Sequence, residues 1–275
     1  MANTVLLLKN KTVPVDPYEV KFNSSNNFIP KFIPLLKHEQ LNKLKILSYL
    51  TSTDFIQNVE FFIITSQRAI ESLNNCIDSI NSNDLKSLIY NKKCYTVGPA
   101  TFKILSDSGF KNVKGGELAG NGLILADLII SDYYSNQNDI SDININCIFF
   151  TGEIRKDTLP KKLINSGFNL TEKIVYKTCP MNDIVERYNN NFNELSNSDI
   201  NWLVFFSPQG TESIVNHLKL NNNNNNNNNI SLKNIKIASI GPTTESYLLQ
   251  NNITPHVVAK KPDADSLFDS ILNHH

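Results

Sequence analysis

Short apolar runs alternate with helical patterns along the whole chain. Runs of about four apolar residues, each ended by a turn residue, are typical of parallel strands that are buried on both faces. Six such runs occupy residues 5–8, 61–64, 94–97, 148–150, 203–206 and 237–240. Apolar residues recur at helical spacing after Arg68 and again after Gly210. This alternation predicts an α/β protein built from right-handed βαβ units.

An unbroken run of asparagine, Asn221 to Asn229, interrupts this pattern. The run has no apolar side chain to bury, so we expect it to be a disordered surface loop. An insertion of this kind costs little stability, because the entropy of loop closure grows slowly with loop length.

Three pairs of similar strand-and-turn segments recur in the same order at a separation of 141 to 143 residues. The pairs are Thr65-Ser66-Gln67-Arg68 with Phe206-Ser207-Pro208-Gln209-Gly210, Val97-Gly98-Pro99-Ala100-Thr101 with Ile240-Gly241-Pro242-Thr243-Thr244, and Leu7-Leu8-Lys9 with Phe150-Thr151-Gly152. A single Gly-Pro turn is weak evidence of relationship. Two different motifs repeated at nearly one offset indicate an internal duplication.

The hydroxyl residues of these turns are candidates for ligand binding. Ser and Thr at a strand-to-helix junction can cap the helix and leave backbone N–H groups pointing outward, where the helix dipole favours an anion. The alternative is that Ser66, Thr101, Ser207 and Thr244 serve only as helix caps. Four such turns at the carboxyl ends of strands favour a ligand, because open α/β sheets bind ligands at that edge.

Composition excludes several classes of function. Lys and Arg (26) balance Asp and Glu (26), so no global field steers the protein toward nucleic acid or a membrane. No run approaches the ~20 apolar residues of a membrane helix, and the N-terminus does not resemble a signal peptide. The four cysteines are scattered, which indicates buried thiols rather than a metal site or a disulfide framework. We therefore expect a cytoplasmic protein without a metal.

Common cofactor and nucleophile motifs are missing from the sequence. There is no Gly-x-Gly-x-x-Gly after the first strand, and no Gly-x-Ser-x-Gly. The glycine-rich segment 115–122 lacks the Lys-Ser/Thr of a phosphate loop, so we interpret it as a turn leading into a helix over 123–130.

With these motifs the chain resembles the uroporphyrinogen-III synthase family over nearly its full length. Further matching segments are Val5-Leu6-Leu7-Leu8-Lys9 with Asp16-Pro17-Tyr18, Gly120-Asn121 and Val175-Tyr176-Lys177-Thr178. The departures are the asparagine tract and Gln67, where the family often has proline.

The resemblance implies two flavodoxin-like, doubly wound parallel-sheet α/β domains, joined by a two-stranded connector and separated by a cleft. Domain 1 would comprise residues 1–36 plus 180–275, and domain 2 residues 37–179. The connector would be formed by Pro34-Leu35-Leu36 and Val175-Tyr176-Lys177-Thr178. Without the resemblance, the repeat would suggest a simple division near residue 145.

The resemblance also implies a cyclising lyase of heme biosynthesis that acts without a cofactor, as a monomer. The reaction closes the linear tetrapyrrole hydroxymethylbilane to uroporphyrinogen III, with inversion of ring D and loss of water. Free hydroxymethylbilane cyclises to the uninverted isomer. The enzyme's task is therefore mainly to hold one folded conformation, and such positioning can contribute roughly 7–11 kcal/mol.

Roles for individual residues follow from this resemblance. The eight substrate carboxylates suit the helix N-termini near Ser66, Thr101, Ser207, Thr243 and Thr244. Arg68 and Lys236 would be charged partners, with Arg155 and Lys9 as further candidates. Tyr176 matches the family tyrosine expected to assist loss of the hydroxymethyl oxygen.

Other interpretations of these residues stay open at this stage. Tyr176 could be an aromatic packed in the connector, Arg68 a solvated charge, and Lys156, Lys161 and Lys162 a solvated basic surface. The whole protein could also be a non-enzymatic module that binds a small anion, or a flavin- or nucleotide-binding flavodoxin-like protein.

Overall fold

The computed structural model describes residues 2–134, 145–195, 200–223 and 235–274. Contacts between Cα atoms divide the chain into two compact units. Unit 1 comprises residues 1–37 and 179–275, and unit 2 comprises residues 38–178. The domain boundaries expected from the sequence lie after residues 36 and 179. Of the loop expected at Asn221–Asn229, residues 221–223 instead form the end of a helix, and the part from position 224 onward lies outside the described residues.

Strands and helices alternate through both units. The strands are β1 Asn3–Leu8, β2 Phe28–Phe32, β3 Leu36–Gln40, β4 Phe61–Ile64, β5 Lys93–Val97, β6 Val113–Gly116, β7 Ile145–Gly152, β8 Phe168–Pro180, β9 Asn201–Phe205, β10 Ile235–Ser239 and β11 Val257–Val258. The helices are α1 Pro17–Asn23, α2 Lys43–Leu50, α3 Gln67–Asp78, α4 Asn83–Asn91, α5 Pro99–Asp107, α6 Gly122–Tyr134, α7 Thr158–Asn165, α8 Ile184–Asn193, α9 Glu212–Asn223, α10 Pro242–Gln250 and α11 Ala264–Leu272. All six strands predicted from apolar runs are confirmed.

The sheet of unit 1 has the order β2-β1-β9-β10-β11, and every neighbouring pair is parallel. Counted along the chain of this unit, the order is 2-1-3-4-5, which is the flavodoxin-like order.

The sheet of unit 2 has the order β8-β7-β4-β5-β6, again all parallel, with β3 added beside β8. Superimposing the two orders pairs β1 with β7, β9 with β4, and β10 with β5. These are the strands that carry the three repeated sequence segments. The strand order therefore confirms the internal repeat. Of the strands that the two sheets have in common, the first along the chain is β1 in unit 1 and β4, the counterpart of β9, in unit 2.

Both sheets are covered on two faces, which explains their uninterrupted apolar runs. In β4, Phe61 and Ile63 pack toward α6 and α7, whereas Phe62 and Ile64 pack toward α2, α3 and α5. All four side chains are fully buried. The sheet of unit 1 is covered likewise, by α1 and α11 on one face and by α8, α9 and α10 on the other.

Two extended segments carry the chain between the units. Leu41 donates its N–H to the Val175 carbonyl at 2.8 Å, and Met181 donates to the Leu35 carbonyl at 2.9 Å. The lower residue number on the first segment pairs with the higher number on the second, so β3 and β8 run antiparallel. The predicted connector segment 175–178 is therefore part of a longer strand, whose earlier residues, from Phe168 onward, pair with β7.

Three of the four cysteines are buried, as the sequence predicts, whereas Cys179 is partly exposed. All four are free thiols, and Cys76, Cys94 and Cys147 are buried. Burial raises the pKa of the Cys94 and Cys147 thiols to about 12. At neutral pH these thiols are therefore protonated and unreactive.

One hydroxyl in the core of unit 2 is poorly satisfied. Thr96 Oγ1 is buried and has no hydrogen-bond partner among the described residues. Replacing Thr96 by valine keeps the shape and removes this unpaired group, so we expect the free energy of unfolding to rise by about 1–2 kcal/mol in urea titrations. Thr211→Val is the matched control: its buried hydroxyl donates to the Pro208 carbonyl at 2.7 Å, and its loss should destabilise. A destabilised Thr96→Val protein would contradict the expectation.

Candidate active site

A pocket of about 620 Å³ lies at the carboxyl edge of the sheet in unit 2. It is bordered by the ends of β4 and β7, the two strands between which the strand order reverses. Ligands of open α/β sheets bind at this switch point. Its lining includes Ser66, Asn121, Gly152, Arg155, Lys156 and Tyr176.

Tyr176 projects from β8 into this pocket and is half-buried. Its ring lies against the backbone of Gly152, where an added Cβ would sit 2.6 Å from the Tyr176 Cζ and 2.8 Å from its hydroxyl oxygen. Tyr176 therefore lines the pocket together with Ser66, while its ring also packs against the neighbouring strand β7.

Ser66 caps helix α3, as the sequence predicts. Its hydroxyl accepts a hydrogen bond from the Ala69 N–H at 3.2 Å, and the first bond of the helix runs from the Ile70 N–H to the Ser66 carbonyl. The N–H groups of Gln67 and Arg68 precede that bond, so they are available at the positive end of the helix dipole.

A second capped helix begins at the same pocket. The side-chain oxygen of Asn121 accepts hydrogen bonds from the N–H groups of Leu123 and Ile124, at 2.9 and 3.1 Å. Asn121 therefore caps α6, which confirms the predicted turn into a helix after the glycine-rich segment. The role of the asparagine is visible only in the structure, because the same sequence would suit any turn.

Thr101 does not open its helix. Helix α5 begins at Pro99, with Gly98 as the capping residue at φ 75°, a conformation that favours glycine. The Phe102 N–H bonds to the Gly98 carbonyl at 3.2 Å, so Thr101 lies in the first turn with its own N–H ahead of that bond. Thr101 does not line the pocket, whereas Val97 at the end of β5 does.

The corresponding turn of unit 1 also differs from the prediction at Ser207. Helix α9 begins at Glu212, five residues later, directly after the buried Thr211. The Ser207 hydroxyl instead donates to the Gln209 carbonyl within the turn, at 3.3 Å. Four residues, from Pro208 to Thr211, separate Ser207 from the helix, so Ser207 is a turn residue and not a cap.

Helix α10 begins at Pro242, after Gly241. The Glu245 N–H bonds to the Gly241 carbonyl at 3.0 Å, which leaves the N–H groups of Thr243 and Thr244 ahead of the helical bonds. The Thr243 side chain is exposed, and that of Thr244 is buried. Of the two hydroxyls, only that of Thr243 is exposed at this end of the helix.

Residues 18–269 match the family described as uroporphyrinogen-III synthase HemD. The uroporphyrinogen-III synthase of Saccharomyces cerevisiae is 41% identical over 269 residues, which cover 97% of this chain and 94% of that protein. The chain belongs to the uroporphyrinogen-III synthase family. The Schizosaccharomyces pombe uroporphyrinogen-III synthase is 29% identical over 98% of this chain and 96% of its own. A crystal structure of the Helicobacter pylori uroporphyrinogen-III synthetase covers both chains completely with a TM-score of 0.51, and at 19% identity it supports the fold alone.

Lys236 lies away from the carboxyl edge of the sheet in unit 1. It lies at the amino end of β10, with its ammonium 5.8 Å from the ring centre of Trp202, in a small cavity shared with Asn3 and Phe28. About 16 Å of extended chain separates it from Gly241. The predicted role of Lys236 is therefore corrected: its strand carries it to the opposite edge of the sheet.

The other cationic side chains predicted to bind substrate differ in the carboxylates with which they already pair. Lys9 is bonded to the buried Asp16, and Arg155, although it lines the pocket, is bonded to Glu172 and Asp157. Among the residues that the structure describes, Arg68 pairs only with Glu71 on the helix surface, and both side chains are more than 40% exposed. An exposed pair of this type is weak, so Arg68 can exchange Glu71 for a substrate carboxylate.

The basic residues after β7 separate into two groups. Lys161 pairs with Asp157 and Lys162 with Asp127, as expected for a solvated surface. Lys156 is also exposed, but it lines the pocket.

No cluster of three or more His, Cys, Asp or Glu side chains in the described residues could hold a metal ion. No helix among them is both long enough and apolar enough to cross a membrane.

Proposed function

We propose that this protein cyclises hydroxymethylbilane to uroporphyrinogen III at the pocket of unit 2, with Tyr176 as the group that assists loss of water. As a uroporphyrinogen-III synthase, the protein is a cyclising lyase of tetrapyrrole and heme biosynthesis. The observation that carries the proposed site is the convergence of Tyr176 and two capped helix N-termini on one pocket at the switch point.

The chemical step has one demanding event. The bond between the terminal methylene carbon and its hydroxyl oxygen breaks, and the oxygen leaves as water. A proton or hydrogen bond to that oxygen lowers the barrier, and the phenol of Tyr176 is a donor at the edge of the pocket. The resulting carbon then bonds to ring D at its substituted α-position and makes that position a spiro centre. The older bond from this position to its methylene breaks, and the methylene bonds to the free α-position of ring D, which inverts the ring. That position loses a proton, which balances the proton given to the leaving water. Selective binding of that arrangement decides the isomer.

The substrate carboxylates are matched by donors on the same edge. We assign them to the first-turn N–H groups of α3 and α6, with Arg68 and Lys156 supplying mobile positive charge. The equivalent edge of unit 1, at Thr243 and Thr244 and at the Ser207 turn, is proposed to bind further carboxylates, as is the first turn of α5 at Thr101. The cleft expected between the domains stays a prediction.

We expect the enzyme to act as a cytoplasmic monomer, without a cofactor or nucleic acid. The polyanionic linear tetrapyrrole is the only partner the proposed chemistry requires.

The deciding experiment supplies purified protein with freshly prepared hydroxymethylbilane, oxidises the products and separates the porphyrin isomers. We expect the type III isomer in excess of a protein-free blank. Only the type I isomer, as in the blank, would contradict the proposed reaction and would leave a binding module as the better description.

Lys156 offers a test of carboxylate binding. Replacing Lys156 by glutamine should raise KM for hydroxymethylbilane roughly 3- to 10-fold at low salt, because one mobile charge leaves the pocket, with little change in kcat. Lys161→Gln is the matched control, since Lys161 lies on the same segment but pairs with Asp157 away from the pocket. Equal effects of the two changes would show that only general surface charge is involved.

A further inference from the structure

The hydroxyl of Tyr176 has no hydrogen-bond partner among the described residues, so none of those residues orients it through a hydrogen bond. A phenol that must donate to a leaving oxygen has to be free of other acceptors, yet it must also be held in place. Its direction therefore depends on what contacts the ring. The rest of this inference rests on the proposed role of Tyr176.

A β-bulge turns the Tyr176 ring toward the pocket. Thr151 of β7 pairs with Ile174, but the next residue, Gly152, pairs with Tyr176, so Val175 is the extra residue on β8. Consecutive strand residues normally point to opposite faces, whereas both Val175 and Tyr176 pack on the core that faces α3. Bulges re-aim side chains in this way next to active sites.

The same bulge brings Gly152 opposite Tyr176, where only a glycine fits. A Cβ at Gly152 would meet three atoms of the tyrosine ring and hydroxyl at 2.6–2.9 Å. Since β-carbons do not approach other atoms so closely, any other residue at this position must displace the ring.

His38 contacts the ring from the other neighbouring strand. Strand β8 lies between β7 and β3 in the sheet, and His38 belongs to β3. The His38 and Tyr176 rings meet edge to face with centres 5.9 Å apart, and the His38 Nδ1 is 2.9 Å from the Thr178 hydroxyl. That hydrogen bond fixes the imidazole, and the imidazole in turn limits the tyrosine ring.

The charges around His38 suit this packing role. Burial and the positive charge of Arg68 both lower the pKa of His38, while Glu71 raises it to a smaller extent. The imidazole is therefore neutral at pH 7. A neutral ring can pack against the phenol without drawing substrate carboxylates to itself.

We propose that Gly152 and His38 are positioning residues that hold the Tyr176 ring from the two strands flanking β8 and so aim its hydroxyl into the pocket. Neither residue has to touch the substrate. A misplacement of the phenol by about 1 Å can cost on the order of 10²-fold in rate.

The test compares kcat for hydroxymethylbilane among Gly152→Ala, His38→Ala and His38→Phe. We expect kcat to fall about 10²-fold in Gly152→Ala and about 10-fold in His38→Ala, with KM changed less than about 3-fold. His38→Phe keeps the edge-to-face contact and should recover most of the loss. Gly120→Ala is the matched control, because a Cβ there meets no atom within 4 Å and should leave kcat unchanged.

Two further measurements separate positioning from general damage. In a Tyr176→Phe background the Gly152 and His38 changes should add less than about 3-fold, because the hydroxyl that they aim is gone. In protein labelled with 3-fluorotyrosine, the ¹⁹F resonance that is absent from Tyr176→Phe should shift in Gly152→Ala and His38→Ala, but not in Gly120→Ala.

Normal kcat in Gly152→Ala, or full additivity with Tyr176→Phe, would overturn the positioning role. A wild-type protein that yields only the type I isomer would instead overturn the proposed function. The ¹⁹F spectra would then still decide whether Gly152 and His38 hold the ring, so the two failures are distinguishable.

Discussion

Replacing Tyr176 by phenylalanine is expected to lower kcat for hydroxymethylbilane by about 10²-fold, while the urea midpoint of unfolding changes little. The phenylalanine ring keeps the contacts with Gly152 and His38 and loses only the donor. Because the hydroxyl bonds to no other described residue, its removal leaves no partner unsatisfied. The loss should therefore fall on the chemical step.

The matched control is Tyr90→Phe, which removes a phenol from the same unit at a ring packed on Phe110, away from the pocket. Isomer-resolved rates would be measured for both proteins. Full activity in Tyr176→Phe would remove the assigned role, and an equal loss in Tyr90→Phe would show that the effect is not specific to the pocket.

Replacing Lys9 by methionine is expected to destabilise the protein by about 3 kcal/mol at pH 7. Lys9 is 16% exposed, and the Asp16 side chain to which it is bonded is completely buried. The ammonium also lies within 5.2–5.7 Å of the ring centres of Tyr18, Phe32 and Phe206. Breaking a buried ion pair on one side leaves an uncompensated charge, which typically costs 3–5 kcal/mol.

Asp16 cannot relieve that charge by moving. One of its oxygens accepts the N–H groups of Tyr18 and Glu19 at the start of α1, and the other accepts the Thr12 N–H at 2.9 Å. The nearby pair Lys11–Glu19 is exposed, so Lys11→Met should cost less than about 1 kcal/mol and serves as the matched control. Similar losses in the two variants would contradict a special role for the buried pair.

The stability that the Lys9–Asp16 pair contributes depends on pH, and the direction in which the pKa of Asp16 is shifted determines how. Burial alone would raise the pKa of Asp16, but the hydrogen bonds from Lys9 and Thr12 outweigh it and hold the pKa below its ordinary value of 3.8. The stability that Asp16 contributes is therefore fully present above about pH 3.8 and is lost as the pH falls through its lower folded-state pKa. In Lys9→Met the carboxyl can take up a proton more readily. The difference between the two proteins should shrink as the pH is lowered toward 4, and a constant difference would contradict this account.

Much of the fold could be read from local sequence. A buried parallel strand needs apolar residues on both faces, so segments such as 61–64 are visible as short continuous runs. The repeat identified equivalent turns before their strand positions were known, and the sheets place those turns after equivalent strands. Family membership likewise follows from the sequence.

Positions that depend on distant partners were the ones missed or misplaced. Lys236 sits close to the Gly241 turn along the chain, but the direction of β10 puts the two at opposite sheet edges. Ser207 resembles Ser66 locally, yet a longer turn delays the start of α9 until Glu212, directly after Thr211. A short sequence pattern does not show at which edge of the sheet a residue of a strand lies. It also does not show how many turn residues precede the start of the next helix.

The sequence by itself determined the strand runs, the repeat, the capping function of Ser66 and the candidacy of Tyr176. Only the tertiary structure decided how Tyr176 is held, because Gly152 and His38 belong to strands 24 and 138 positions away along the chain. Neither residue carries a motif of its own. Their importance comes from strand pairing and from one extra residue in β8, and these are properties of the assembled sheet.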